Sequence, residues 1–338
     1  MKPALPLNLG LQGGGAHGAF TWGVLDALLE QGLRPAAVSG TSAGAMNAVA
    51  LAQGWLDGGA EGARAALARL WQAVAAGVPE GTTVLPRDDA LNPRLAPAVK
   101  LLLHWTHYLA PEQANPLDLN PLRDIVRQQF DFERLRRECP LRLYIAATQA
   151  NSGRLRLFRE HELTPDMVQA SACLPTLFRP VDIEGEPYWD GGYSANPAVL
   201  PLLLDGHAHR VADTLLVLLM PRRYREAPRG AAHIHARALD LAFSAPFLAE
   251  MRQLAHWQDA ARRRWVPLST QDRLLRASRL HVVEGGDVLE RLDADSRITV
   301  HPHYFEALRD LGRSRAHAWL AARTGPSAPG VRLADWFG

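Results

Sequence analysis

The N-terminal part of the chain alternates between short apolar runs and glycine-rich turns. Residues 7–11 form an apolar run of strand length, and residues 16–31 carry apolar side chains at helical spacing. Residues 36–40 predict a second strand, so the three segments form a βαβ unit. Because the crossover in such a unit is right-handed, we expect parallel strands whose following loops meet at one edge of the sheet.

The loop after the second predicted strand is G-T-S-A-G, residues 40–44. In a G-x-S-x-G turn the serine lies between a strand and a helix, and a Cβ on either flanking glycine would collide with the neighbouring backbone. The N-terminus of the helix that follows favours negative charge. Ser42 is therefore the candidate nucleophile, and Gly40 and Gly44 are the glycines that its turn requires.

The loop after the first predicted strand is G-G-G-A-H-G, residues 13–18. Unshielded backbone N–H groups are what an oxyanion hole requires. The same loop also fits a dinucleotide fingerprint, since Gly13, Gly15 and Gly18 satisfy G-x-G-x-x-G. A ribose-binding carboxylate is expected after the second strand of a dinucleotide site, but G-T-S-A-G occupies that place. We therefore favour acyl chemistry over nucleotide binding.

The remaining pattern predicts an α/β chain with no internal repeat. A proline-rich but apolar insertion at residues 77–121 is interpreted either as a lid or acyl-chain wall over the site, or as a satellite core under a long loop. The other predicted strands are 141–148, 155–158, a hairpin over 181–188, 214–220 and 280–283. The other predicted helices are 43–53 (ended by Gly54), 62–76, 122–130, 164–172, 233–265 (interrupted near Pro246) and 304–322.

A serine nucleophile requires a base within hydrogen-bond reach. An α/β-hydrolase supplies a histidine late in the chain, but Ser42 comes too early for that order of elements. Asp190 precedes Gly191 and Gly192 in a tight turn that leaves its carboxylate open to approach, so it is the candidate base. The histidines considered beside it, none of them in a glycine-framed turn, are His207, His209, His281 and His301.

The composition indicates the class of protein but does not indicate a binding partner. The 338 residues are 47% hydrophobic and 21% charged, with a net charge of +2, which is typical of a globular chain. Cys139 and Cys173 are too few for a disulfide framework and suit a reducing compartment. Without a signal-like N-terminal segment or a run of membrane length, we expect a cytoplasmic protein, with peripheral contact to a membrane surface left open.

Three motifs in this order resemble the patatin-like phospholipase family: G-G-G-A-H-G, G-T-S-A-G and D-G-G at residues 190–192. The flanking blocks S-A-C-L-P-T-L-F-R-P at 171–180 and D-G-G-Y-S-A-N-P at 190–197 are similar to blocks of the same family. The resemblance covers residues 5–205. One departure is His17, where many relatives carry Arg or Lys, so a cation for an anionic head group is not expected there.

The resemblance implies a three-layer α/β/α sandwich with a mainly parallel central sheet. The catalytic domain is expected at residues 5–205, and residues 206–338 are expected to add strands and helices to the same sheet. The implied activity is hydrolysis of ester bonds in phospholipids or other acyl lipids, without a metal or cofactor. Lipid or acyl ester is then the partner, nucleic acid is not, and the oligomeric state is left open.

The implied site is a Ser-Asp dyad with a backbone oxyanion hole. An aspartate base predicts that the acid limb of the pH profile falls lower than a histidine would allow. Two alternatives remain, another carboxylester or thioester hydrolase such as an intracellular polyester depolymerase, and a non-catalytic lipid-binding module. The candidate residues are the nucleophile Ser42, the base Asp190, the oxyanion donors Gly13, Gly14 and Gly15 with Ala43 added from the elbow geometry, and the motif glycines Gly18, Gly40, Gly44, Gly191 and Gly192.

Overall fold

A computed structural model describes residues 6–32, 34–79, 81–86, 89–106, 109–205, 211–224, 226–263, 265–292, 294–323 and 330–336. His207 and His209 lie outside these residues, as do parts of the 77–121 insertion. None of the described helices is both long enough and apolar enough to cross a bilayer.

The described strands carry the labels β1 to β10 in chain order. Their bounds are β1 Pro6–Leu11, β2 Arg34–Thr41, β3 Thr83–Val84, β4 Arg94–Leu95, β5 Arg142–Gln149, β6 Leu155–Arg159, β7 Val181–Ile183, β8 Glu186–Asp190, β9 Asp213–Leu218 and β10 Arg279–Glu284. Every strand predicted from the pattern is present within two residues of its expected bounds.

The described α-helices carry the labels α1 to α12. Their bounds are α1 Gly18–Glu30, α2 Ala43–Ala76, α3 Pro97–Thr106, α4 Pro111–Ala114, α5 Pro121–Gln129, α6 Phe132–Glu138, α7 Pro165–Ser171, α8 Leu200–Leu204, α9 Ala231–Arg263, α10 Thr270–Ala277, α11 Asp287–Glu290 and α12 Pro302–Ala322. Six short helices were not predicted, because each has ten residues or fewer and its apolar positions do not establish a period: α3, α4, α6, α8, α10 and α11.

The main sheet has the order β10-β9-β1-β2-β5-β8-β7, and β6 pairs with β5 beside this path. Neighbouring strands from β10 to β5 run parallel, including the predicted pair β1 and β2. The strands β6, β8 and β7 pair antiparallel. The result is a mixed, mostly parallel sheet whose central strand, β1, lies between β2 and β9.

Helices cover both faces of this sheet, as the side chains of β9 demonstrate. Leu215 and Val217 pack into the core that contains α1 and α12. Leu216 and Leu218 point the other way and pack with apolar side chains of α9. A strand that is buried on both faces is uninterruptedly apolar, which is why 214–220 could be predicted as a parallel strand. The three-layer α/β/α architecture is confirmed.

One predicted helix end is misplaced and one predicted helix break is wrong. The first half of α2 continues past Gly54 to a kink where Gly58 and Gly59 have non-helical backbone angles, so the interruption between the two predicted helices is present but lies a few residues later. Gly54 instead lets the two halves of α2 pack closely, since a Cβ there would overlap the Gly62 carbonyl. The predicted break is absent because α9 runs through Pro246. Ala242 is exposed, so water can satisfy the carbonyl that a proline four residues later cannot bond.

We expect Gly312→Ala to destabilise the fold, because α12 crosses α1 with their backbones in contact. A Cβ at Gly312 would overlap the Phe20 carbonyl oxygen of α1. Overpacking of this kind costs about 1–3 kcal/mol. Chemical denaturation of the variant should move the midpoint to lower denaturant.

Gly77→Ala is the matched control, because the nearest atom to its added Cβ is at 3.4 Å, an ordinary contact. Its backbone at φ −75° is open to any residue. Equal midpoints for the two variants would contradict the close packing of α1 on α12.

Candidate active site

Ser42 occupies a strained turn between β2 and α2. Its backbone has φ 54° and ψ −123°, a conformation that residues other than glycine rarely adopt. The Ser42 N–H donates to Ser171 Oγ at 3.0 Å, and its carbonyl accepts from the Met46 N–H at 3.1 Å. These bonds hold the turn, which presents the hydroxyl at the carboxyl edge of the sheet.

The two glycines of this turn are required by close packing. A Cβ on Gly44 would overlap the Leu11 carbonyl oxygen at the end of β1. A Cβ on Gly40 would lie 2.5 Å from the Gly44 carbonyl oxygen. The turn therefore sits directly against β1, and the glycine loop that follows β1 emerges beside Ser42: a Cβ on Gly13 would lie 2.7 Å from Ser42 Cβ.

Asp190 lies at the end of β8 and is completely buried. Its backbone is fixed because its N–H donates to the Cys173 carbonyl and its own carbonyl accepts from Thr148 Oγ1, each at 2.8 Å. Carboxylate Oδ1 accepts from the Gly192 N–H at 2.8 Å. Carboxylate Oδ2 has no partner of normal hydrogen-bond geometry among the described residues.

Burial raises the pKa of Asp190 to about 7, while the Gly192 amide and the side chain of Ser42 oppose this rise. Because the Ser42 side chain affects this pKa, its hydroxyl lies near the carboxyl, although no hydrogen bond of normal geometry joins the two groups. Such bonds are often long before substrate binds. A pKa near 7 argues against an acid limb well below that of a histidine.

The described histidines make other contacts. His281 Nε2 lies 2.7 Å from Asp213 Oδ1 at the start of β9, and His301 is the residue before α12. His17 is buried, and its Nε2 lies 2.8 Å from Ser296 Oγ. Within the described part of the chain, no hydrogen bond joins a histidine to Ser42. Asp190 is the titratable group that the structure brings to this hydroxyl.

The glycine loop requires one correction. The Gly13 N–H donates to Asn196 Oδ1 at 2.7 Å, so this amide is occupied and is not an oxyanion donor. The amides of Gly14, Gly15 and Ala43 have no hydrogen-bond partner among the described residues. Three unpaired N–H groups therefore remain near the serine, two from the loop and one from the start of α2.

Three residues that support the site were missed as individual functional positions. Ser171 binds the Ser42 amide, and Asn196 binds the Gly13 amide. Gln12 fixes the loop after β1, since its Nε2 donates to the Asn196 carbonyl and its Oε1 accepts from the Leu219 and Met220 amides. Ser171 and Asn196 both lie in the flanking blocks 171–180 and 190–197, so the signal for them was present in the sequence.

The remaining motif glycines allow the two loops to pack. Gly18 lies where a Cβ would come 2.7 Å from Ala43 Cβ, at the crossing of α1 and α2. A Cβ on Gly191 would overlap the Ala146 carbonyl of β5, and one on Gly192 would overlap the ring of Phe243. The D-G-G turn therefore fits its surroundings only with glycines after Asp190.

No group of three His, Cys, Asp or Glu side chains that could hold a metal ion occurs in the described ranges. A cavity of about 950 Å³ lies beside β6 and α8, and no candidate site residue is among the described residues that line it. The groups that the structure places at Ser42 are its hydroxyl, a buried carboxyl and unpaired amides. These are the parts that nucleophilic acyl transfer requires.

The family model of patatin-like phospholipase matches residues 9–203, which is more than half of the 338 residues. The chain belongs to the patatin-like phospholipase family.

Among solved structures, the chain is similar to VipD from Legionella pneumophila, with 16% sequence identity and a TM-score of 0.42. The match covers 93% of this chain and 66% of the VipD chain, so this chain spans less than two thirds of that protein. No curated protein matches the chain.

The buried carboxyl makes a prediction about stability. The folded-state pKa of Asp190 is raised, so ionisation opposes folding and stability falls as the pH rises from about 4 towards 7. Asp190→Asn removes that ionisation and should raise the midpoint of thermal unfolding at pH 8. The gain should shrink at pH 5, where the wild-type carboxyl is protonated in the folded protein.

Asp213→Asn is the control of opposite sign. Asp213 is also buried, but its ion pairs with Arg279 and Arg323 hold its pKa below the usual range against the effect of burial. Such a group stabilises the fold above its unfolded-state pKa, and this stabilisation is lost as the pH falls. Asp213→Asn should therefore lower the midpoint at pH 8, and a matching decrease in Asp190→Asn would contradict the burial argument.

Proposed function

We propose that this chain is a serine acyl hydrolase that cleaves ester bonds of phospholipids or related acyl lipids through a Ser42–Asp190 dyad. The observation that carries the proposal is the pairing of a strained, glycine-flanked serine with a fully buried carboxyl whose Oδ2 is unpaired. Family membership supports the substrate class.

In the first half of the reaction, Asp190 accepts the Ser42 proton as Oγ forms a bond to the ester carbonyl carbon. The amides of Gly14, Gly15 and Ala43 stabilise the oxyanion of the tetrahedral intermediate. The bond from carbon to the alcohol oxygen then breaks, and Asp190 returns its proton to the leaving alcohol. The products of this half are a free alcohol and an acyl-serine.

In the second half, a water molecule attacks the acyl carbon while Asp190 accepts one of its protons. Collapse of the second tetrahedral intermediate breaks the bond to Ser42 Oγ, which takes the proton back. A pKa of Asp190 near 7 suits both roles, because the group can accept and return a proton close to neutral pH. The fatty acid is released and the enzyme is restored.

Ser42→Ala should abolish ester hydrolysis and labelling by a fluorophosphonate, while the protein remains folded. Losses on the order of 10⁴-fold or more are usual for such nucleophiles. Activity should be measured on phosphatidylcholine vesicles, short nitrophenyl esters and polyhydroxyalkanoate in parallel. A preference for polyhydroxyalkanoate would replace the phospholipid assignment by that of a polyester depolymerase.

Ser39→Ala is the matched control, since Ser39 is a fully buried serine of β2, the strand that leads into the Ser42 turn, and its hydroxyl has no partner among the described residues. It should keep nearly full activity and labelling. The hydrolase assignment is wrong if the activity of Ser42→Ala stays within tenfold of the wild-type activity. It is also wrong if the fluorophosphonate labels neither the wild type nor Ser39→Ala.

The oxyanion assignment predicts that Gly15→Ala is more harmful than Gly14→Ala. Gly15 has φ +58°, and its added Cβ would overlap the Arg297 carbonyl oxygen. Gly14 has extended backbone at φ 172°, with its nearest neighbour, the Leu219 side chain, at 3.1 Å. Displacement of one donor should lower kcat by about 10²-fold in Gly15→Ala. Equal kcat values for folded samples of both variants would remove Gly15 from the hole.

A further inference from the structure

Two segments beyond residue 203, where the family match ends, contact the two candidate catalytic loops. One segment is the middle of α9, which lies against the D-G-G turn. The other is a 3-10 turn, Ala294–Arg297, which lies against the glycine loop. An ion pair joins these segments, so both loops are held by one connected unit.

The contact with the D-G-G turn is made by Phe243. A Cβ on Gly192 would overlap the Phe243 ring, which means that the ring packs directly on the backbone of Gly192. The Tyr193 ring packs on the same phenyl group, with centroids 4.6 Å apart. The amide of Gly192 is the one that donates to Asp190 Oδ1. Phe243 therefore limits movement of the amide that orients the carboxyl.

The contact with the glycine loop is made through Asp240, one helical turn before Phe243. Asp240 is only 7% exposed, and its carboxylate pairs with both terminal nitrogens of Arg297, with 3.1 Å between Nη2 and Oδ2. The Tyr224 hydroxyl donates to the same carboxylate. A bidentate pair fixes the direction of the arginine as well as its position.

The backbone of the Arg297 turn lies directly on the glycine loop. The Arg297 carbonyl oxygen occupies the space that a Cβ on Gly15 would need, and Ser296 Oγ lies 2.8 Å from His17 Nε2. Burial, with the charge of Arg297 beside it, lowers the pKa of His17 to about 3, so this hydrogen bond stays between neutral groups at physiological pH. The turn is thus fixed to the loop at two points.

We propose that Asp240 and Phe243 are positioning residues that set the oxyanion loop and Asp190 at their working separation. The proposal rests on the proposed function, because it assigns roles around the Ser42–Asp190 dyad. Neither residue is required to touch substrate. A small displacement of a catalytic group is costly, since a shift of about 1 Å can lower the rate by about 10²-fold.

The competing explanation is that the Asp240–Arg297 pair stabilises the fold and has no effect on catalysis. The two explanations differ in what they predict for enzyme that remains folded. A positioning role lowers kcat and the rate of fluorophosphonate labelling, because both depend on the oxyanion geometry, and leaves KM nearly unchanged. A purely structural role lowers the unfolding temperature alone.

The experiment compares Asp240→Asn and Phe243→Leu with Asp213→Asn in the full chain. Asp213→Asn is the matched control, since it breaks a buried aspartate–arginine pair at the opposite end of β9 from the loops. We expect kcat and the labelling rate to fall by about 10²-fold in Asp240→Asn and by about tenfold in Phe243→Leu. Asp213→Asn should lose thermal stability and keep its kcat.

The milder variants Tyr224→Phe and Ser296→Ala keep the test decisive if Asp240→Asn does not fold. Each removes one hydroxyl from the unit, and each should lower kcat by several-fold with KM unchanged. Wild-type kcat in folded Phe243→Leu, Tyr224→Phe and Ser296→Ala would overturn the positioning role. An inactive, unlabelled wild type would instead overturn the proposed function, so the two failures are distinguishable.

Discussion

The complete burial of one carboxyl beside one strained serine is the constraint on which the rest of the site depends. An ionised Asp190 is unfavourable in this position, and its raised pKa measures that cost. The cost is tolerated because the backbone of β8 is bonded to Cys173 and Thr148 and cannot move the side chain towards water. In the proposed dyad, the same burial gives Asp190 a pKa close to neutral, so the destabilising feature would also be the useful one.

The parts of the site that depend on local geometry could be predicted from the sequence. The turn at Ser42 and the D-G-G turn each span fewer than ten consecutive residues. The βαβ unit contains a single crossover connection. The glycines of these turns could be identified because the neighbouring backbone leaves no room for a Cβ, as at Gly44 against the end of β1. The hairpin at residues 184–185 is similar, since Glu184 and Gly185 both take the positive φ that such a turn needs.

The parts that depend on long-range contacts could not be predicted. The Gly13 amide is occupied by an asparagine 183 positions away, which no local pattern records. The raised pKa of Asp190 depends on its complete burial, which the reference value for aspartate does not contain. The helix end at Gly54 and the helix break at Pro246 failed for a related reason: both residues are poor helix formers, but packing in the first case and solvation in the second outweigh local propensity.

A loop of three glycines brings its amides close to a substrate because it has no side chains, and for the same reason it cannot hold its own shape. Every restraint on it must come from other elements. On one side Asn196 accepts a hydrogen bond from the first amide of the loop, and Gln12 bonds both the Asn196 carbonyl and the backbone that follows β9. On the other side the Arg297 turn covers Gly15 from a part of the chain beyond the matched domain. The C-terminal region is therefore part of the structure that any oxyanion hole in this loop would need.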